Sequence, residues 1–349
     1  MGAAVLSLQS GAGVAGRLFA TVSPAGLTEL RLWGASLMLA GLGARPAARA
    51  AAEVLAKRAW RDATVVAGFG LTLAVMNFAI YQSFARIPLG IAVTIEFLGP
   101  LAVAIASSRR PVDLLWVALA GTGVALLGTA GVSPKPPSGP AAAGSQAAAV
   151  AAGIGFALLA ATSWACYILL SRATGKRFGG SSGLAISMAI GAIAIIPLAA
   201  AAGGDSASLL RPSVLAAALA IALLSSVIPY IFELEALRRV PPRVFGIWMS
   251  LEPAVAALAG VVLLGQSLLA GQWLAIGCVV VASAGAALAT PCAPPPTMGS
   301  CPPKPPPRQP SPHGRSVRCA GSGRWPTCCF ARLRVRCAGS QPLAWWRRR

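Results

Sequence analysis

Residues 87–113 read IPLGIAVTIEFLGPLAVAIASSRRPVD. The apolar run from Ile87 to Ala106 carries one carboxylate, Glu96, and a proline, Pro100, near its middle, and it stops at Arg109 and Arg110. A helix of roughly twenty residues rises about 30 Å, the thickness of a bilayer's hydrocarbon core. A carboxylate at that depth costs at least about 2.5–3.5 kcal/mol on insertion scales, and intramembrane charges mark transport pathways by default. The stretch predicts a membrane-spanning helix with an ionisable group in a translocation path.

The rest of the chain agrees. It is 56% hydrophobic and 11% charged, with a mean hydropathy of +0.72, whereas soluble domains sit near 25% charged. Glycine and alanine fill the apolar segments, as suits close helix packing in lipid. Of the 29 basic residues, eleven lie in 291–349, which has no Asp or Glu, so the +20 net charge is partly a property of that tail and does not by itself imply a nucleic-acid partner. The amino terminus opens directly into an apolar segment without a basic region, and no cleavable signal peptide is expected.

Hydrophobic runs separated by charged or Pro/Gly-rich breaks predict an all-α polytopic membrane protein of ten transmembrane helices, near 3–22, 25–43, 63–84, 88–107, 112–131, 147–170, 183–202, 212–234, 244–265 and 270–290. The breaks after the even-numbered spans hold thirteen Lys and Arg, and those after the odd-numbered spans hold three, Arg86, Lys135 and Arg211. The positive-inside rule then puts both termini in the cytoplasm. The break at 133–146 separates five-helix halves at 1–132 and 147–290. A shift of 153 residues pairs Arg86 with Arg239, Pro88 with Pro241 and Pro100 with Pro253. Halves with an odd number of spans have opposite orientations, so two inverted repeats with a site between them are expected.

Candidate site residues follow from polarity inside spans. Glu96 reads as a proton carrier or substrate contact, with a structural role paired to a base such as Arg17 as the plainer alternative. Glu252 precedes Pro253, which frees a carbonyl one turn earlier; it either faces a wet cavity or caps a kink. Asn77 and Tyr81, four residues apart, share a helix face, as do Trp164 and Tyr167 in the other half; Tyr230 follows Pro229. For the aromatics, packing or an interfacial belt is the favoured reading. Glu233 and Glu235 lie near Arg238 and Arg239. Gln9 and Arg17 are candidates to bind a carboxylate, although Arg17 also reaches the outer interface, and Glu29 and Arg31 are expected to snorkel there. The sequence has no phosphate-binding loop and no nucleophile–His–carboxylate set, so no enzyme, metal or cofactor is expected.

The stretch quoted above, together with TSWACYILLS (162–171) and IPYIFELEALRRVPPRVFGIWMSLEP (228–253), resembles the threonine/homoserine exporter branch of the drug/metabolite transporter superfamily (EamA-type). The similarity covers roughly 5–288. It implies ten helices in two inverted repeats and export of small amino acids by proton antiport across the inner (plasma) membrane. Gln9, Arg17, Arg31, Asn77, Tyr81, Glu96, Trp164, Tyr167, Tyr230, Glu233 and Glu252 occupy family-like positions; Glu29 and Glu235 depart from the pattern. The expected partners are therefore a small amino acid or metabolite, protons and the lipid bilayer. A homodimer is compatible with the sequence. Competing functions are export of another metabolite or a drug-like compound, or a non-transporting membrane scaffold.

Residues 291–349 match nothing in that family. They hold six cysteines, many prolines and VRCAGS twice, at 317–322 and 335–340. Low complexity without apolar periodicity predicts disorder. A basic lipid anchor, an RNA-binding appendage and a non-selected extension are the readings for it; the last is preferred.

Overall fold

The structure, a computed structural model, describes residues 2–56, 58–106, 113–129, 140–178, 182–202, 206–229, 232 and 247–289. All regular elements among them are helical. In chain order these are α1 (Gly2–Leu18), α2 (Pro24–Ala56), α3 (Trp60–Phe84), α4 (Leu89–Glu96), α5 (Leu98–Ala106), α6 (Asp113–Thr129), α7 (Pro140–Gly175), α8 (Ser182–Ala201), the single turn α9 (Ser206–Leu209), α10 (Pro212–Ala222) continued by a π-helical turn over Leu223–Val227, α11 (Glu252–Leu264) and α12 (Ala270–Ala289).

Six stretches are long and apolar enough to cross a membrane: Trp60–Phe84, Leu89–Ala106, Gly144–Gly175, Ser182–Ala201, Ile247–Leu264 and Ala270–Leu288. The other predicted spans that form continuous apolar helices are shorter, as at Leu114–Leu127 and Pro212–Val227. Two boundaries differ from the sequence reading. Helix α2 continues past residue 43 to Ala56, because the alanine-rich stretch beyond the apolar part is itself a strong helix former. Helix α7 begins at Pro140, inside the stretch read as an inter-repeat loop; a proline's fixed φ suits a first helical turn. Leu71, Ile193, Val262 and Leu274 are among many large apolar side chains left on the surface, which is stable against lipid and costly against water.

Small residues set the helix pairings. Helix α3 runs antiparallel to α7, with Phe69 against Tyr167 (ring centroids 5.2 Å apart) and Phe78 against Phe156 (6.2 Å). Farther along, the Ser83 hydroxyl donates to the Gly153 carbonyl (2.9 Å). Helix α6 runs antiparallel to α12, where Gly285 admits the Trp116 ring and Gly123 admits the Ala275 carbonyl. Helix α1 lies along α11 through Gly13 and Gly16, which abut Leu263 and Leu264. Helix α4 crosses α11 where a Cβ on Gly90 would stand 2.5 Å from the Ala257 Cα. Leu89 donates its N–H to Gln266 Oε1 (3.0 Å), closing the start of α4 onto the far end of α11.

Candidate functional site

The span that holds Glu96 is a broken helix. Helix α4 ends at Glu96, Phe97 forms a turn, and α5 resumes at Leu98. Pro100 has no N–H to give the Glu96 carbonyl four residues back, so the regular ladder fails at that point. The same break occurs in the stretch before α11: residues 247–249 are helical, Ser250 and Leu251 turn, and the helix resumes at Glu252 with Pro253 in its first turn. Phe97 and Ser250 are separated by the 153 residues that align the two halves. Each break therefore carries a glutamate beside it.

Both glutamates are buried, Glu96 to 9% and Glu252 to 4% exposure. The α4–α11 contacts are antiparallel, with Leu89 near Gly260 and Gln266 and Gly90 near Ala257. Glu96 lies beyond that crossing in α4 and Glu252 lies before it in α11, which puts both on the same side of it. Gln9 donates from Nε2 to Glu252 Oε1 (3.2 Å) and is itself buried. No hydrogen bond reaches the Glu96 carboxyl among the described residues.

The charge that acts on Glu96 is that of Arg31, about two turns into α2. Arg31 is 6% exposed. Its Nε donates to Ser226 Oγ (3.1 Å), its Nη2 donates to the Ser225 carbonyl (2.9 Å), and its guanidinium lies over the Tyr81 ring, 5.2 Å from the centroid. The π turn presents these acceptors. Pro229, four residues after Ser225, has no N–H for the Ser225 carbonyl, and the guanidinium takes it instead. Gly11 of α1 lies against Ser225, so α1 carries Gln9, which holds Glu252, and also packs on the turn that holds Arg31. Two buried polar atoms here, Gln9 Oε1 and Tyr81 Oη, have no hydrogen-bond partner among the described residues. Such atoms cost about 1–3 kcal/mol each, which a polar ligand would offset.

The other sequence candidates are placed as follows. Asn77, one turn before Tyr81, is buried and donates its side-chain amide back to the Leu73 carbonyl (2.7 Å). Trp164 packs edge-on against Phe97, the residue at the break (5.3 Å). Tyr167 packs on Phe69 (5.2 Å). Arg17 is exposed at the end of α1, where its Nε donates to the Leu263 carbonyl (2.6 Å). Tyr230 and Glu233 lie outside the described residues, as do Glu235, the arginine pairs at 109–110 and 238–239, and the tail.

Sequence reasoning missed Ser225 and Ser226, and it carried Arg31 only through the family resemblance. From its position near the start of a span Arg31 was expected at the membrane edge, and Arg17 was offered as the base for a structural role of Glu96. The adjacent serines in LLSSVIP ahead of a proline were the available signal.

Two cavities lie along the α3–α7 seam. One, about 490 Å³, is lined by Ser23, Pro24, Ala25, Phe78, Gln82, Ala85, Arg86, Phe156 and Ala202. The other, about 200 Å³, is lined by Leu71, Thr72, Val75, Thr162, Ser163 and Cys166. Neither is lined by Glu96, Arg31, Gln9 or Glu252.

Helices long enough to cross a bilayer, two of them interrupted beside buried glutamates, define a multi-pass membrane protein. The chain belongs to the EamA-like transporter family: residues 151–288 match that family. It is 39% identical over 285 residues to the threonine/homoserine exporter RhtA of Salmonella typhimurium (strain LT2), spanning 82% of this chain and 89% of that protein. It is 38% identical over 285 residues to the threonine/homoserine exporter RhtA of Escherichia coli K12, with the same coverage.

Proposed function

We propose that the protein is an inner-membrane exporter of small amino acids of the threonine/homoserine type, driven by proton antiport, with ten helices in two inverted repeats and both termini in the cytoplasm. The observation that carries the reading is the buried Glu96 at a helix break, acted on by Arg31 and making no hydrogen bond among the described residues. The named relatives support the substrate class. Helix pairing supports the repeats, because pairings recur with the halves exchanged: α3 on α7 answers α1 on the π turn, and α1 on α11 answers α7 on α4.

In this mechanism the cluster binds substrate and proton in alternation. Arg31 attracts the substrate carboxylate, and Glu96 is neutral when protonated and pairs with the substrate ammonium when charged. Gln9 and Tyr81 supply hydrogen bonds to the hydroxyl or carboxylate of the amino acid. The broken backbone at Phe97 leaves a carbonyl for the ligand and a hinge for the alternation.

The test is efflux of radiolabelled threonine and homoserine from loaded cells, comparing wild type with Glu96→Gln at equal membrane abundance. Loss of efflux in the variant supports the coupling role. Equal efflux removes Glu96 from the mechanism, and absence of efflux in both removes the substrate class.

A further inference from the structure

The 490 Å³ cavity lies at the end of the bundle where α2 begins and α3 and α8 end. Its volume falls within the range of about 300–1,000 Å³ common for small-molecule sites. Arg86 is the one charged side chain in its lining among the described residues. The guanidinium is half-buried, and it is fixed in place on two sides. Nη1 donates to the Gln82 carbonyl (2.6 Å) and to Gln82 Oε1 (2.7 Å), and the group lies over the Phe156 ring, 5.0 Å from the centroid. Its Nε and Nη2 have no hydrogen-bond partner among the described residues, so a pre-oriented pair of charge-assisted donors remains for a ligand.

A second feature of the wall points the same way. Ser23 caps α2 by accepting from the Gly26 N–H (3.1 Å). Ala25, in the first turn of α2, lines the cavity, and a helix supplies no acceptor of its own to first-turn N–H groups. The positive end of the helix dipole adds to the attraction for an anion. Among the described residues no Asp or Glu lines the cavity, and Phe78 and Phe156 form its apolar side. Arginine suits planar, bidentate carboxylate recognition.

We propose that this cavity is a carboxylate-binding subsite, separate from the Glu96 cluster, in which Arg86 holds the carboxylate of a small amino acid at one end of its path. The proposal rests on the amino-acid export reading for its choice of ligand, although the chemistry of the site requires only a small carboxylate. Helix α4, eight residues long and so about 12 Å at 1.5 Å per residue, lies between Arg86 and Glu96 in the chain, and a substrate leaves one station as it reaches the other.

Ala85 is exposed and lines the cavity, so Ala85→Cys in the full-length chain reports its occupancy. Modification by a membrane-impermeant maleimide is followed in membrane vesicles. The peptide carrying the introduced thiol is quantified by mass spectrometry so that native cysteines do not interfere. L-Threonine and L-homoserine are expected to slow modification about threefold or more near saturation. Threoninol, which lacks the carboxylate, is expected to leave the rate unchanged. Adding Arg86→Gln is expected to abolish the protection, and Arg86→Lys to retain part of it.

Equal protection by threoninol, or protection undiminished in Arg86→Gln, overturns the proposal. If the Arg86 variants do not fold, the threonine–threoninol comparison with native Arg86 still decides. Threonine efflux by the wild type without any protection removes the subsite and leaves the exporter reading. Protection by acetate and other small carboxylates without threonine efflux removes the amino-acid reading and leaves the subsite.

Discussion

A buried charge in a helical bundle is stable only with a partner, and Arg31 shows how the partner is supplied. Its guanidinium takes a carbonyl and a hydroxyl from the π turn and rests on an aromatic face while its charge acts on Glu96. Arg31→Gln leaves the Ser225 carbonyl, the Ser226 hydroxyl and Glu96 without that group. The expected cost is about 1–3 kcal/mol of stability, read as a lower melting temperature of the purified chain, with efflux reduced at least as much as in Glu96→Gln. Arg31→Lys keeps charge but cannot serve both acceptors and the ring with one planar fork, so intermediate efflux is expected. Glycine contacts give a second test at this scale. A side chain on Gly90 meets the Ala257 backbone, so Gly90→Val is expected to destabilise by about 1–3 kcal/mol through overpacking, whereas Gly121→Ala, with nothing within 4 Å, is expected to stabilise by up to about 1 kcal/mol through helix propensity. Equal melting temperatures for these two variants would remove the α4–α11 crossing as a constraint. Glu96 was legible in the sequence because one carboxylate in twenty apolar residues has no ordinary place. Arg31 was not, because a charge within two turns of a span's start has two ways to be satisfied, outward to the interface or inward to a partner, and only the tertiary neighbours decide between them.

At the scale of elements, the two breaks matter more than the helices they interrupt. Apolar runs were readable because each must bury or expose a continuous surface, and the described helices follow them within a few residues except where Ala-rich sequence prolongs α2 and where α7 starts early at Pro140. The breaks at Phe97 and Ser250–Leu251 were readable only in part. Proline marks where the ladder loses a donor, but whether the chain kinks, turns or restarts depends on what packs there. At Phe97 it is Trp164 and the close approach of Gly99 to the Ala161 carbonyl. Pro100→Ala restores a donor for the Glu96 carbonyl and favours one continuous helix. The expected outcome is unchanged or higher thermal stability together with efflux lowered about tenfold or more, since pairing the carbonyl removes both a ligand group and the hinge. Wild-type efflux from Pro100→Ala would show that the break is a packing feature without a part in transport.

The whole molecule is asymmetric along the α3–α7 seam. At one end Arg177 Nε pairs with Asp62 Oδ1 (2.9 Å), each side chain 37% exposed; toward the other, residues of the same two helices line the 490 Å³ cavity. Under the proposed alternation one end opens as the other closes, so the ion pair is expected to act as a latch that favours the conformation seen here. None of this was legible in the sequence, where Asp62 and Arg177 are two charges in two separate loops and only the antiparallel register of α3 on α7 brings them together. An exposed pair contributes at most about 1 kcal/mol, which bounds the effect of breaking it to about fivefold in the ratio of the two conformations. Asp62→Asn and Arg177→Gln should each slow maleimide modification of Ala85→Cys by up to that factor while leaving the melting temperature nearly unchanged, because the pair biases two folded states far more than it opposes unfolding. The exchange of the two charges, Asp62→Arg with Arg177→Asp, should restore the wild-type rate. Restoration by the exchange separates a latch from a general effect of either charge, since a long-range effect of Asp62 on the bundle would not be recovered by moving its charge to the facing helix. If both single variants label at the wild-type rate, the seam is held by its aromatic and glycine contacts alone.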